Sequence, residues 1–440
     1  MAVSFAYVLH GYSNFKESFS RIKKGERAAG LFATVAVYGL GCVALTAGAI
    51  IFFAVFSRSA MVALFVSLTV VLFMYGPFRQ YVCNVVRMKR KAVITASCVL
   101  LVVSLCAAGL YYAKKDSADG RMLMWKVSAK TVTHNPVEGS GLGTFAANYA
   151  ESQADYFEKY PESAYKAVAG VPEYAFNEYL HVASELGVVG LALLLSVIIV
   201  AFVNLRQGND PYAYGLLALA VFALFSYPFS ILSLKILLVL YVASSANCRL
   251  DENKKRRVSR LALAALTLYG GVVLAFLVPV YQEKVEMVGE WKKAASIAGY
   301  DSEYAARDYA SLVQWHTDNP AFLFEYGRLH HLNGNYALSN RILSEGAALS
   351  ADPMFYNVIG NNYKAMGEAA LAERSYRKAF DILPNRMYPK YLIMKLYDDN
   401  GDGEKARSIA REILSFDVKI ESSATLEMQE LARDLLENGG

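Results

Sequence analysis

The stretch ASELGVVGLALLLSVIIVAFV, residues 183–203, decides the architecture. Its single ionisable side chain, Glu185, sits near the start; apart from two serines the rest is aliphatic, small or aromatic. About 20 consecutive apolar residues cross the hydrocarbon layer of a bilayer as a helix, and only helices or closed barrels satisfy their backbone groups there. Residues 183–203 therefore read as a membrane helix. Outward from it the pattern recurs at 29–56, 60–77, 92–112, 212–227, 231–247 and 260–280, so about seven apolar helices are expected in the first two thirds of the chain. The stretch 212–247 is divided in two because Pro228 interrupts it.

The composition agrees with a membrane protein. Of 440 residues, 55% are hydrophobic and only 19% charged, too apolar for an ordinary soluble chain. The net charge of +5 is not a nucleic-acid signal once it is divided by position. Residues 1–280 hold 26 Lys and Arg against 15 Asp and Glu, whereas residues 281–440 hold 18 against 24. Most of the excess lies in short clusters between apolar runs, at Arg21–Arg27, Arg79–Lys91, Arg206 and Arg249–Arg260, the pattern that keeps loops on the cytoplasmic side. That parity puts Ser57-Arg58-Ser59, the segment 113–181 and everything after 281 on the outer side. Cys42, Cys83, Cys98, Cys106 and Cys248 all fall in apolar runs or basic loops, which argues against disulfides, and their spacing fits no zinc site. The start, Met1-Ala2-Val3-Ser4-Phe5, lacks the features of a cleaved signal peptide, so the first membrane helix is expected to direct insertion.

Two regions are not apolar. The segment 113–181, with Pro136, Pro161, Pro172 and a glycine cluster, reads as short helices and turns on the outer face, and loops of this length usually carry function. Its aromatic-rich piece Tyr149–Tyr165 is expected to rest in the membrane interface among lipid headgroups. From 281 onward the sequence turns soluble and helical, with an internal period. Tyr356, Ile359, Gly360, Tyr363, Gly367, Ala372, Tyr376, Ala379 and Pro384 fall on the tetratricopeptide template. Tyr326, Gly327 and Gly334 repeat parts of it one period earlier, and Ile393, Tyr397, Gly401 and Ala406 one period later. Two or three such units, capped by helices at Ala294–Val313 and Leu426–Leu436, predict an α-solenoid that binds a protein partner. His316, His330 and His331 are assigned surface or packing roles rather than metal binding.

Three features carry candidate chemistry on the outer side. Arg58 interrupts two long apolar runs, where a guanidinium needs an aqueous or anionic partner; a helix-end arginine snorkelling to lipid phosphates explains the position equally well. Arg121 precedes His134-Asn135-Pro136 and the turn Gly139-Ser140-Gly141-Leu142-Gly143-Thr144-Phe145. Alternating glycines let a backbone approach a ligand closely and aim N–H groups at an anion, and the planar fork of Arg121 matches phosphate oxygens. A tight turn explains the glycines equally well. The third feature is Phe176-Asn177-Glu178-Tyr179-Leu180-His181, followed by Glu185, Gly187 and Gly190. On one helix Asn177 and His181 share a face, as do Glu178 and Glu185; a capping role is the competing reading for Asn177 and Glu178.

Taken in order, Ser57-Arg58-Ser59-Ala60, Arg121 with Asn135-Pro136 and Gly139–Phe145, and Asn177–Leu180 running into Glu185–Leu191 resemble the O-antigen ligase and polymerase superfamily over roughly residues 30–245. The resemblance implies an integral membrane glycosyltransferase that moves a glycan from an undecaprenyl-diphosphate carrier to an acceptor outside the cytoplasmic (inner) membrane. That acceptor is lipid A core, a growing glycan or a protein hydroxyl. No metal, nucleotide sugar or other cofactor is implied. By position, Arg58 and Arg121 match the arginines expected to hold the diphosphate, while Gly139, Gly141, Gly143 and Asn177 match the loop and acceptor site. The family usually carries a His directly before that Asn, where this chain has Phe176; His181 and Glu178 are then the nearby candidates for a catalytic base.

The expected fold is all-α: a polytopic membrane domain over 1–280, including the outer loop 113–181, and an extracytoplasmic, periplasmic tetratricopeptide domain over 281–440. The leading reading is an O-antigen ligase type enzyme acting among membrane lipids on a lipid-linked glycan, with the polymerase as an alternative. Members usually have more membrane helices than the seven counted here. That shortfall and Phe176 motivate a competing reading, a truncated, non-catalytic membrane-anchored tetratricopeptide scaffold. A transporter finds less support, since no pair of inverted halves is visible.

Overall fold

Every regular element among the described residues is helical. The computed structural model describes residues 1–23, 29–55, 57–74, 114–208, 210–247, 252–418 and 421–438, with single residues 80, 84, 97, 109 and 112. Most of the expected span at 92–112, most of the basic cluster at 79–91, residues 249–251 and Cys83, Cys98, Cys106 and Cys248 lie outside them.

The helices of the first part are α1 (Ala2–Lys23), α2 (Ala29–Val55), α3 (Arg58–Met74), α4 (Lys115–His134), α5 (Phe145–Lys159), α6 (Glu178–Gln207), α7 (Tyr212–Ala223), α8 (Leu232–Asn247) and α9 (Glu252–Ile297). Two of them hold stretches long and apolar enough to cross a membrane, Ala33–Phe52 within α2 and the 30-residue α6. Shorter apolar helices cover Ser59–Phe73, Tyr212–Ala223 and Leu232–Ala246. The break at Ser57 is real: its carbonyl accepts from Met61 N–H at 2.9 Å, opening α3 at Arg58. Pro228 opens a single 3-10 turn between α7 and α8, dividing 212–247 as its ring geometry dictates. Helix α1 had no counterpart in the apolar pattern, because only part of its surface is apolar.

Two compact units divide the chain: Met1–Lys115 with Phe176–Val182 and Val188–Arg260, and Asp116–Ala175 with Ala183–Gly187 and Leu261–Gly440. In the first, Ala2, Ala6, Val71 and Tyr214 bury one seam between α1, α3 and α7. Ile198, Ala201, Leu205, Leu216 and Tyr241 bury another between α6, α7 and α8. Gly215 permits the second, since a Cβ there would lie 2.4 Å from the Tyr241 hydroxyl. The outward faces stay apolar: Ile50 is 71% exposed and Leu193 64%. Soluble proteins rarely leave apolar patches that large in water, and lipid is the solvent that suits them.

Helix α9 passes through position 280. The composition changes there, but the helix continues unbroken for 46 residues with Pro279 inside it. At 1.5 Å per residue it extends about 69 Å, well beyond a hydrocarbon layer of about 30 Å. The expected capping helix 294–313 is likewise broken. After α9, Asp301 accepts from Tyr304 N–H at 2.9 Å and starts α10 (Ser302–Leu312) afresh.

The remaining helices are α11 (Pro320–Leu332), α12 (Tyr336–Ala347), α13 (Met354–Ala365), α14 (Ala369–Ile382), α15 (Tyr388–Asp399), α16 (Gly403–Leu414) and α17 (Ser423–Asn438). They pack in sequential pairs, α11 with α12, α13 with α14 and α15 with α16. Close approach rests on glycine: a Cβ on Gly327 would lie 2.6 Å from Leu343, and one on Gly360 2.3 Å from Tyr376. The pair turns fall at Gly334, Gly367 and Gly401, all with φ near +80°. The histidines sit in this packing. His316 is buried with its ring 4.7 Å from that of Phe322, His330 is buried against Tyr326, and His331 Nδ1 lies 2.6 Å from Asn362 Oδ1.

Helix α5 departs from the interfacial expectation. Its aromatic face, Tyr149 and Phe157, is 1% and 2% exposed because it packs within this unit, against α14. Amphipathicity required a covered face, and protein rather than lipid supplies the cover. The buried Gln153 is fully used there: its Oε1 accepts from Tyr149 Oη at 2.8 Å, while its Nε2 donates to Gly170 O at 2.9 Å and Ile382 O at 2.6 Å.

Candidate functional site

The glycine turn links α4 to α5. Its first glycine, Gly139, has φ +75° and lies against the backbone of α6 at a break in that helix, Gly187, with φ +65° and ψ −169°. Ser140 N–H donates to Ser184 O at 3.0 Å and Gly141 N–H to Glu185 O at 2.9 Å; the Ser140 hydroxyl adds a 2.8 Å bond to Ser184 O. The turn is thus laced to the last helical residues before the break.

The side chain of Glu185 completes the arrangement. Its Oε1 accepts from Gly143 N–H at 2.9 Å and from Phe145 N–H at 3.3 Å, and the residue is 7% exposed. Phe145 is the first residue of α5, so the carboxylate sits at the positive end of that helix and satisfies two donors, one of which the helix leaves without an internal partner. The sequence reading has this loop aiming N–H groups at an anion. The chain itself provides one, and the ligand-like approach of the glycines is made to α6. Glu185 was legible only as a carboxylate near a membrane mouth; its role depends on a pairing some forty residues apart.

The other predicted residues fall as follows. Arg121 lies on α4, half-buried, followed one turn on by Trp125. Helix α4 is held to α5 by Thr131 Oγ1 donating to Ser152 Oγ at 3.0 Å and by the Lys130–Asp155 ion pair at 2.9 Å. Arg58 is the first residue of α3; its side chain lies outside the described atoms. Asn177 is the N-cap of α6, its Oδ1 accepting from Tyr179 N–H at 3.1 Å and Leu180 N–H at 3.2 Å. Its carboxamide oxygen therefore serves the helix end, the competing role named above. Glu178, in the first turn, is buried at 3% exposed, and His181 is partly buried. Phe176 has φ +50°, and its ring meets that of Tyr227 edge-on at 4.9 Å between centroids. The Tyr179 hydroxyl donates to Ala220 O at 2.8 Å, tying the start of α6 to α7. Among the described residues no cluster of three or more His, Cys, Asp or Glu is arranged to hold a metal ion.

Residues 40–195 match the family described as O-Antigen ligase. The match runs from within α2 to within α6 and takes in Arg58, Arg121, the glycine turn, Asn177 and Glu185. Over that stretch the chain is similar to a class of membrane-embedded proteins of the O-antigen ligase and polymerase type. None of the curated proteins matches the chain.

Proposed function

We propose that this protein is a membrane glycosyltransferase of the O-antigen ligase type. It transfers a glycan from an undecaprenyl-diphosphate carrier to an acceptor on the outer side of the cytoplasmic membrane, lipid A core or a protein hydroxyl. The observation that carries the reading is the O-antigen ligase match over 40–195, which contains both candidate diphosphate arginines and the glycine turn. Arg58 and Arg121 each supply fixed positive charge for the diphosphate leaving group, the kind of stabilisation that accelerates group transfer most. The paired helices of 320–414 are read as tetratricopeptide repeats, supported by the Gly327–Leu343 and Gly360–Tyr376 approaches, and they recruit a partner.

The test is Arg58→Ala and Arg121→Ala, each expressed in cells lacking another copy. Glycan transfer is expected to fall about 10²- to 10³-fold with membrane levels unchanged. Lysine at either position restores only part of it, because the ammonium keeps charge but loses the bidentate fork. Full transfer by both alanine variants overturns the assignment. One observation favours a second reading, a non-catalytic membrane-anchored scaffold: Phe176 stands where the resemblance calls for His, and its ring is packed on Tyr227. On that reading Phe176→His leaves transfer at zero, whereas on the first it raises or preserves a measurable rate.

A further inference from the structure

The start of α4, where Arg121 lies, rests on the 3-10 turn Ala164–Val168 between α5 and α6. A Cβ on Gly120, the residue before Arg121, would meet Val168 O at 3.6 Å, so a single methyl group there would already touch the turn. Farther along α4, Lys126 Nζ donates to Tyr165 Oη at 3.2 Å and lies 4.6 Å from the centre of that ring. The place of Arg121 therefore follows that of the turn.

A 3-10 helix of five residues does little to fix itself. The paired helices supply the rest. Asn385, between α14 and α15, donates from Nδ2 to Ala169 O at 2.9 Å and more weakly to Ala167 O at 3.5 Å, the carbonyls on either side of Val168. Gln153 Nε2 bonds both Gly170 O and Ile382 O, joining the chain just after the turn to the end of α14. The bonds from α4 to α5 at Lys130 and Thr131 lie more than two helical turns beyond Arg121, so they fix the far end of α4 whereas Asn385 acts at the near one. A guanidinium that meets charge developing on a leaving group must be in place beforehand, and a misplacement of about 1 Å costs about 10²-fold in rate.

We propose that Asn385 is a positioning residue for glycan transfer, holding through Ala167 and Ala169 the turn that sets Arg121. The paired helices are then part of the transferase site. This role rests on the reading of Arg121 as a diphosphate ligand. Asn385→Ala and Asn385→Asp, the second nearly isosteric but without the N–H donors, are expressed in cells lacking another copy, alone and combined with Arg121→Ala. Gly120→Leu, which wedges the same contact from the helix side, is treated likewise. With Arg121 present, each is expected to lower transfer at least about tenfold at unchanged membrane level. Beside Arg121→Ala, each is expected to lower the residual transfer less than about twofold, because a residue acting through Arg121 has nothing left to place. Loss by the same factor in both backgrounds would mark a general structural role and overturn the proposal, as would wild-type transfer by Asn385→Ala. Hydrogen exchange on the full-length protein in lipid nanodiscs needs no activity. Amides 120–124 are expected to exchange at least about fivefold faster in Asn385→Ala, with α11 and α12 unchanged. Unchanged exchange at 120–124, or equal acceleration in α11 and α12, overturns the proposal whatever the transfer result. Full transfer by Arg121→Ala overturns the functional reading instead, and exchange alone then decides whether Asn385 holds the start of α4.

Discussion

Gly139 and Gly187 face each other with no space for a side chain on either. A Cβ on Gly139 would lie 2.3 Å from the Glu185 carbonyl and 2.5 Å from Gly187 N; one on Gly187 would lie 2.1 Å from Val137 O. Both have positive φ. Alanine at either position therefore combines left-handed strain with a backbone collision, and about 2–4 kcal/mol of local stability is expected to be lost. Gly143, also at positive φ but with open space around it, is the control: alanine there costs only about 1 kcal/mol. Limited proteolysis of the 134–145 turn in detergent reads the difference.

Glu185→Ala leaves the Gly143 and Phe145 N–H groups without their acceptor, and a loss of about 2–4 kcal/mol is expected for the two bonds together. Glu185→Gln keeps an acceptor oxygen and loses the charge at the start of α5, so about 1 kcal/mol is expected. Hydrogen exchange at those two amides should accelerate strongly in the first variant and slightly in the second. Equal protection in all three proteins would remove the carboxylate from its assigned role.

Gln153 ties α5 to α14 through Ile382 O and to the chain at Gly170 O. Gln153→Leu fits the space but strands both carbonyls and the Tyr149 hydroxyl, and a destabilisation of about 3–5 kcal/mol is expected. Exposure of Tyr149, followed by fluorescence quenching, should report release of α5 before the paired helices unfold.

Burial, with Glu158 across from it, raises the Asp381 carboxyl to about 6. The carboxyls and cations that share its surroundings include Glu151, Asp155, Glu158, Lys166, Glu373, Arg374, Arg377 and Lys378. A carboxyl raised on folding binds its proton more tightly in the native state, so its contribution to stability declines as pH rises from about 4 through 6. Asp381→Asn is expected to raise the melting temperature at pH 7.5 and to flatten its dependence between pH 4 and 6. A wild-type slope unchanged in the variant would show that other groups set it.

The helices of this protein were legible where a local rule governs them. Ser57 ends one apolar run and caps the next, Pro228 breaks another, and the repeat glycines mark where helices touch, all readable within a few residues. What covers a helical face is not local. The aromatic face of α5 had to be buried, but sequence periodicity cannot distinguish headgroups from α14. The change of composition at 280 leaves no mark on the helix, which runs on through it, since a helix need not stop where its side chains change character. Of the candidate site, the turn and its glycines were visible while Glu185 as its internal anion was not, because the partners come from distant parts of the chain.

A loop that must wait for its ligand before folding binds slowly and loses affinity to ordering. Here Glu185 stands in permanently as the counter-ion that a phosphate would otherwise have to be. The turn before α5 therefore has its shape fixed by the chain's own carboxylate, and whatever meets it meets a finished surface.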